Sequence, residues 1–152
     1  MLKTNSMATK ELGDRGEELA CEYLVKNGYK ILGRNYRITF GEIDIIAVKK
    51  FTLLNKIHRI LIPRRRDYST GGRLFADKTI HFVEVKTLSG NDNIYPEEHV
   101  DRKKQIKLKQ LAEIWLSKNK YPQDIPYQID IVAVSFISDK PEIKFFENIV
   151  AD

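Results

Sequence analysis

Residues 81–87, HFVEVKT, place a glutamate and a lysine two positions apart within an apolar, β-branched run. Successive side chains of a β-strand point to opposite faces, so Glu84 and Lys86 share one face while Val83 and Val85 share the other. One face of this predicted strand suits a core, and the other carries a carboxylate beside an ammonium. Either the charged face meets water and the pair is a salt bridge, or the strand is covered and the pair serves chemistry.

A second stretch, GEIDIIAV at residues 41–48, repeats this combination of acidic and apolar residues. Its apolar side chains alternate with Glu42 and Asp44, which share the opposite face. If Asp44 and Glu84 lie within a few ångströms of each other, protonation or a bound cation would relieve their repulsion. Two carboxylates with a backbone carbonyl and waters suit Mg²⁺ or Mn²⁺. With Lys86 beside the metal, such a site would suit phosphodiester cleavage.

Hydrophobic periodicity and turn residues predict an α/β protein with the element order α-β-β-β-α-β-β. The first helix is predicted from Thr9 to Asn27, because apolar residues recur there at helical spacing and Gly28 stands just beyond the end. The other predicted elements are strands at residues 29–37, 41–48, 79–87, 127–136 and 142–148, and a second helix from about Glu97 to Lys118.

The composition restricts the class of protein. A chain of 152 residues with 42% hydrophobic and 31% charged residues is typical of one globular domain. The N-terminus contains no apolar targeting segment and the chain has no apolar run long enough to span a membrane, so we expect a cytoplasmic protein without a transmembrane segment. Because Cys21 is the only cysteine, an internal disulfide and a cysteine-based zinc site in a monomer are excluded.

Positive charge is concentrated in the segment 49–76, which we interpret as an insertion into a core formed by about residues 9–48 and 77–147. The segment has eight Lys and Arg residues against one acid, a local charge of +7, whereas the whole chain carries +5. The remainder of the chain is therefore slightly acidic. DNA is the expected partner of such a segment. The predicted phosphate contacts are Arg64, Arg65 and Arg66.

The combination of Asp44 with the run Glu84-Val85-Lys86 resembles the PD-(D/E)XK nuclease signature, and the order α-β-β-β-α-β is similar to the core of that superfamily. More closely, most of residues 10–136 resembles the YraN family of predicted endonucleases, relatives of archaeal Holliday-junction resolvases. Two features depart from these patterns: Ile43 stands where the wider superfamily usually has Pro, and the segment 49–76 replaces a short turn. The stretches that carry the resemblance are GDRGEELACEYLVKNGYKILGRNYR, GEIDIIA, HFVEVKT, VDRKKQIKLKQLAEIWL and YQIDIVAV.

The resemblance implies a restriction-endonuclease-like fold, with a mixed central sheet flanked by helices. It implies an endonuclease that depends on Mg²⁺ or Mn²⁺ and acts on DNA, including branched or flapped DNA, without a small-molecule cofactor. Junction resolution would require a homodimer with two active sites. Glu17 matches an acid on the first helix of resolvase-like proteins, and Lys104 matches a lysine on the second helix that would contact DNA. The other implied site residues are Asp44, Glu84 and the Val85 carbonyl as metal ligands, and Lys86 as the catalytic lysine.

Each of these features also has a structural interpretation. The helix dipole alone would favour Glu17 near the start of a helix, and Lys104 and its neighbouring lysines would form a solvated helix face. Asp130 is expected to cap or pair structurally. His81 is expected to be incidental, because it has neither metal-ligand spacing nor a Ser or Cys nucleophile beside it. The alternatives to a nuclease are a nucleic-acid-binding protein with an unused nuclease-like site, and a basic protein that binds a partner or a membrane surface.

Overall fold

A computed structural model describes residues 9–50, 79–88, 100–136 and 140–150. The segment predicted to bind phosphates, with Arg64, Arg65 and Arg66, lies outside the described residues. In chain order the elements are α1 (Thr9–Lys26), β1 (Tyr29–Ile38), β2 (Gly41–Lys49), β3 (Ile80–Leu88), α2 (Arg102–Lys118), β4 (Tyr127–Ser135) and β5 (Glu142–Phe146).

The five strands form one mixed sheet in the order β1-β2-β3-β4-β5. The pair β3 and β4 is parallel, and the other three neighbouring pairs are antiparallel. A parallel pair needs a crossover connection, and α2 lies within the connection between β3 and β4. The strands β2 and β3 are neighbours although the basic segment separates them in the chain. The predicted α/β fold with a mixed sheet between helices is therefore confirmed.

The helix ends follow local chemistry. α1 ends before Gly28, whose φ of 85° lies in the left-handed region that glycine adopts without strain. α2 begins at Arg102 because Asp101 is its N-cap, with a carboxylate oxygen that accepts a hydrogen bond from the Lys104 N–H at 2.7 Å. The predicted start near Glu97 was wrong, since the residue before the cap, Val100, is not helical.

Both faces of the central strands are covered. On one face α1 packs over a cluster that includes Leu19, Leu24, Ile45, Val83 and Val132. On the other face α2 packs over a cluster that includes Ile46, Phe82, Leu108, Leu111 and Ile129. Burial of an aromatic or branched side chain of this kind stabilises the fold by about 1.5–3 kcal/mol. β3 is thus apolar on both faces because it lies between two helices.

The strands β2 and β3 part at one end of the sheet. Their backbone pairing extends from Val48 and Ile80 to Ile45 and Val83. Beyond that point Ile43, which strict alternation would put with Ile45, packs instead in the cluster beneath α2. Asp44 of β2 and both Glu84 and Lys86 of β3 lie just beyond this last pair. In the described part of the chain, no helix has the length and apolar character needed to cross a membrane.

Candidate active site

Asp44 lies where β2 and β3 separate, and the backbone of β3 holds its side chain. The N–H of Val85 donates a hydrogen bond to Oδ2 of Asp44 at 2.7 Å. Because the strands no longer pair there, this carboxylate accepts a strand N–H that would otherwise lack a partner in the ladder. One oxygen of Asp44 is therefore fixed by the fold, and the side chain is only half-buried.

Glu84 brings a buried carboxylate to the same place. The residue is only 5% exposed, on the face of β3 that α2 covers. Two ammonium groups approach its Oε1: Nζ of Lys86 at 3.3 Å, and Nζ of Lys104, which forms a hydrogen bond and an ion pair with the same oxygen. A buried carboxylate requires such partners, since an unpaired charge in the interior is strongly unfavourable. β3 therefore places the Glu84 carboxylate beside two ammonium groups and away from water.

The electrostatics of Asp44 are unusual for a carboxyl group. Burial raises its pKa to about 7, and the negative charge of Glu84 is the next largest cause. The hydrogen bond from Val85 lowers the pKa in part, while the charges of Glu17 and Glu42 raise it further. At neutral pH this pair of carboxylates is therefore poised to hold either a proton or a cation.

Glu17 reaches this site from α1, which packs unusually closely on β3. A Cβ added to Gly16 would lie 2.0 Å from Oγ1 of Thr87, so only glycine permits this approach. Thr87 directly follows Lys86 in β3, and the contact therefore brings the neighbouring Glu17 to the same end of the sheet. Its side chain is half-buried, and its charge acts on Asp44 as described above.

A groove of about 670 Å³ lies beside the carboxylates, between the β1–β2 hairpin and α2. It joins the site through Lys104, which lines the groove while its ammonium contacts Glu84. Its lining residues are Arg37, Ile38, Gly41, Glu42, Asp101, Lys103, Lys104, Lys107, Leu108 and Leu111.

Three or more metal-ligating side chains of His, Cys, Asp or Glu do not meet at any one point of residues 9–50, 79–88, 100–136 and 140–150. The candidate metal site is therefore the pair Asp44 and Glu84. Such a pair would need backbone, water or substrate oxygens to complete the coordination of a divalent cation.

Comparison with known proteins gives the family. Residues 16–134 match the family model described as "Uncharacterised protein family UPF0102". The chain belongs to the UPF0102 family. A UPF0102 protein of Fusobacterium nucleatum is 37% identical over 144 residues, which cover 95% of this chain and 94% of the relative. A UPF0102 protein of Caldicellulosiruptor bescii is 34% identical over 137 residues, covering 90% and 92%. One of Desulforamulus reducens is 34% identical over 145 residues, covering 94% and 98%.

Membership of UPF0102 confirms the resemblance to the YraN family. The fold brings five of the sequence-predicted residues together in two sets of contacts. Asp44 accepts a hydrogen bond from the N–H of Val85, and the ammonium groups of Lys86 and Lys104 lie on Glu84. Glu17 joins them through its charge. The roles of these residues as ligands and catalysts remain predictions, and the carbonyl of Val85 is likewise a predicted ligand.

Sequence reasoning missed two features of this UPF0102 chain. Lys104 was predicted to face DNA, yet its ammonium lies on Glu84, and its side chain is 40% exposed. This contact depends on how α2 packs against β3, which the sequence alone does not show. The groove was also missed, because its cationic residues come from a hairpin and a helix that are far apart in the chain. A signal was present in the run VDRKKQIKLK, which places several lysines near the start of α2.

His81 has a structural partner that the sequence analysis did not assign to it. Its Nδ1 lies 2.6 Å from Oδ2 of Asp130, and both side chains are buried. Asp130 also accepts hydrogen bonds through Oδ1 from the N–H of Asn148 at 2.8 Å and from Nε2 of Gln128 at 2.7 Å. The structural role predicted for Asp130 is thus confirmed. The sequence contained a signal for this pair, because His81 and Asp130 are polar residues within two otherwise apolar strands.

Proposed function

We propose that this protein is a metal-dependent endonuclease that hydrolyses phosphodiester bonds in DNA. The observation that carries the proposal lies where β2 and β3 part. The N–H of Val85 holds the Asp44 carboxylate there, the charge of Glu84 acts on this carboxylate, and two lysine ammonium groups contact Glu84. This combination of carboxylates and ammonium groups is the chemistry that phosphoryl transfer needs: a cation site beside fixed positive charge. Membership of UPF0102 supports the proposal only through the resemblance of that family to nucleases.

The donor set fits a divalent cation of the Mg²⁺ type. Mg²⁺ is usually bound by one or two carboxylates and keeps several waters, so the pair Asp44 and Glu84 is sufficient. The raised pKa of Asp44 supports this assignment, because a cation would relieve the same repulsion that now favours a proton. Asp44 and Glu84 would hold the metal, and the carbonyl of Val85 would join them. When bound, Mg²⁺ or Mn²⁺ would polarise the phosphoryl group and acidify water.

The neighbouring residues have separate tasks in this proposal. The Val85 N–H fixes one oxygen of Asp44. The side chain of Lys86 is 30% exposed and lies 3.3 Å from Glu84, so its ammonium can orient the attacking water and offset charge that develops on the phosphate. Glu17 approaches from α1 and would complete the shell around the site.

A cleavage assay tests this function. Linear, flapped and four-way DNA would be incubated with the protein, with and without Mg²⁺ or Mn²⁺. We expect metal-dependent cleavage, and we expect Asp44→Asn, Glu84→Gln and Lys86→Ala each to lower the rate by on the order of a hundredfold or more. The matched control is Glu18→Gln, a neighbouring acid of α1 that pairs with Arg34.

Two outcomes would contradict the proposal. If the three variants cleave at the rate of the wild type, the active site has been assigned to the wrong residues. If the folded wild-type protein binds DNA but cleaves none of the substrates with either metal, it is a nucleic-acid-binding protein with an unused nuclease-like site. Circular dichroism of each variant would show whether a loss of activity reflects a loss of fold.

A further inference from the structure

The groove between the β1–β2 hairpin and α2 carries an excess of positive charge. Four of its lining residues are cationic and two are acidic. Arg37 and Glu42 neutralise each other, with Nε of the arginine 2.6 Å from Oε2 of the glutamate. The other cations are lysines of α2 on the side that faces the hairpin, namely Lys103, Lys104 and Lys107.

Two of these lysines are available to a ligand. Lys103 and Lys107 are exposed, and neither makes an ion pair or a side-chain hydrogen bond within the described ranges of the chain. They are one helical turn apart, so their ammonium groups lie on the same side of α2. Lys104 lies between them in sequence and connects this row to Glu84. The row of positive charge therefore begins at the carboxylate site and continues along the groove.

An exposed aromatic residue directly precedes one of the groove residues in the chain. Phe40 is 47% exposed in the turn between β1 and β2. It directly precedes Gly41, which packs so tightly on α2 that an added Cβ would lie 3.0 Å from Cε of Lys107 and 2.9 Å from Cδ1 of Leu111. Gly41 lines the groove, and consecutive α-carbons are about 3.8 Å apart, so the backbone of Phe40 adjoins the groove.

We propose that this groove binds a strand of DNA with unpaired bases, with phosphates on Lys103 and Lys107 and one base stacked on Phe40. Aromatic rings beside basic grooves bind single strands in this way, because every base has a flat face and stacking does not depend on sequence. A base within a duplex is already stacked on both sides and offers no such face. This inference rests on the proposed nuclease function. It adds that the substrate of the nuclease is flapped or otherwise partly unpaired DNA.

Fluorescence anisotropy without divalent metal tests the binding separately from cleavage. The probes are a single strand, a blunt duplex and a duplex with a single-stranded flap, all of the same sequence. We expect Phe40→Ala to weaken binding of the single strand and the flap about tenfold or more, and to change binding of the blunt duplex by less than twofold. Phe40→Trp should restore the affinity, and Phe40→Leu should not.

The lysine row has a different expected signature. The double variant Lys103→Gln and Lys107→Gln should weaken binding of all three probes. For the single strand, the slope of log K against log salt should become shallower by up to about 0.7 for each lost phosphate contact. The matched control replaces Lys26 and Lys30, two exposed lysines near the opposite end of the hairpin, and should leave the slope unchanged.

The inference is overturned if Phe40→Ala leaves the preference among the three probes unchanged, or if the groove variant has the salt slope of the wild type. It is also overturned if the wild type binds none of the probes. These binding results do not decide whether the protein is a nuclease. An enzyme that cleaves normally with an altered groove would lose only the inference, whereas a protein that binds through the groove but never cleaves would lose only the nuclease function.

Discussion

Asp44 has a pKa far above the ordinary value of an aspartate, and this pKa has a consequence for stability. In the folded protein the pKa is about 7, whereas an exposed aspartate in the unfolded chain titrates near its ordinary value of 3.8. Between these values the folded state binds more protons than the unfolded state, so the free energy of unfolding falls as the pH rises. The ionised carboxylate is therefore a destabilising group in the metal-free protein at and above neutral pH.

We predict that Asp44→Asn removes this dependence. The variant should be more stable than the wild type at pH 8, and the difference should shrink toward zero near pH 4. Since one pKa unit corresponds to about 1.4 kcal/mol, the gain at pH 8 should be on the order of 2–4 kcal/mol. Urea denaturation between pH 4 and pH 8 in the presence of a chelator measures it. Asp14→Asn, at an exposed position on α1, is the control. Parallel curves for wild type and Asp44→Asn would contradict the raised pKa.

The candidate site residues were chosen from the sequence, but the contacts between them were not. Asp44, Glu84 and Lys86 could be predicted because strand alternation puts each pair of charges on one face and because the motif spacing resembles a known signature. The contact of Lys104 with Glu84 could not be predicted, since it depends on where α2 packs against β3. The hydrogen bond from Val85 likewise depends on the exact point at which two strands stop pairing.

At the scale of elements, the close packing of α1 on β3 is what brings Glu17 to the site. We predict that Gly16→Ala destabilises the protein by about 1–3 kcal/mol, because the added methyl group would overlap the side chain of Thr87. Gly13 is the matched control on the same helix, with nothing within 4 Å of an added Cβ. Gly13→Ala should stabilise the protein by about 0.5–1 kcal/mol. Urea denaturation midpoints compare the two variants.

The comparison of Gly16→Ala with Gly13→Ala tests how closely α1 approaches β3. If Gly16→Ala is as stable as Gly13→Ala, α1 does not approach β3 as closely as described, and the approach of Glu17 to the carboxylates loses its structural basis. If Gly16→Ala is destabilised as expected but remains folded, any loss of metal binding in that variant would reflect the displacement of Glu17 and its helix.

Element boundaries were predicted well where local chemistry determines them. Gly28 marks the end of α1, and the turn at residues 39–40 separates β1 from β2, so both were predicted to within a residue or so. The start of α2 was predicted about five residues early, because the acidic residues before Asp101 also suit the first turn of a helix. The cap that determines the start is itself local, since Asp101 accepts its hydrogen bond from the N–H of Lys104, three residues further on. The pairing of β2 with β3 across the basic segment depends on the whole sheet and could not be derived from either strand alone.

At the scale of the whole molecule, the residues that stabilise the fold and the residues of the proposed active site lie at different places along β3. The pair His81 and Asp130 is three residues from Glu84, about 10 Å along the strand. Through Asp130 it joins β3 and β4 to Asn148, which follows β5. These contacts are buried and serve the fold, whereas the carboxylates where β2 and β3 part are the proposed cation site.

We therefore predict that Asp130→Ala lowers the free energy of unfolding by about 2–5 kcal/mol, since it leaves His81 and the Asn148 N–H without a buried partner. Asp130→Asn, which keeps an acceptor oxygen, should lose less. Both variants should bind metal as the wild type does under conditions in which they are folded. An unchanged denaturation midpoint for Asp130→Ala would contradict the structural role of this residue.

The central claim is that Asp44 and Glu84 together form one site for a divalent cation. Isothermal titration calorimetry with Mn²⁺ at pH 7.5 tests it most directly, because it requires neither DNA nor turnover. The wild type should bind one cation, Asp44→Asn and Glu84→Gln should each weaken binding by about tenfold or more, and Glu18→Gln should bind like the wild type. Equal binding by the wild type and both carboxylate variants, or no binding by the wild type, would contradict the account.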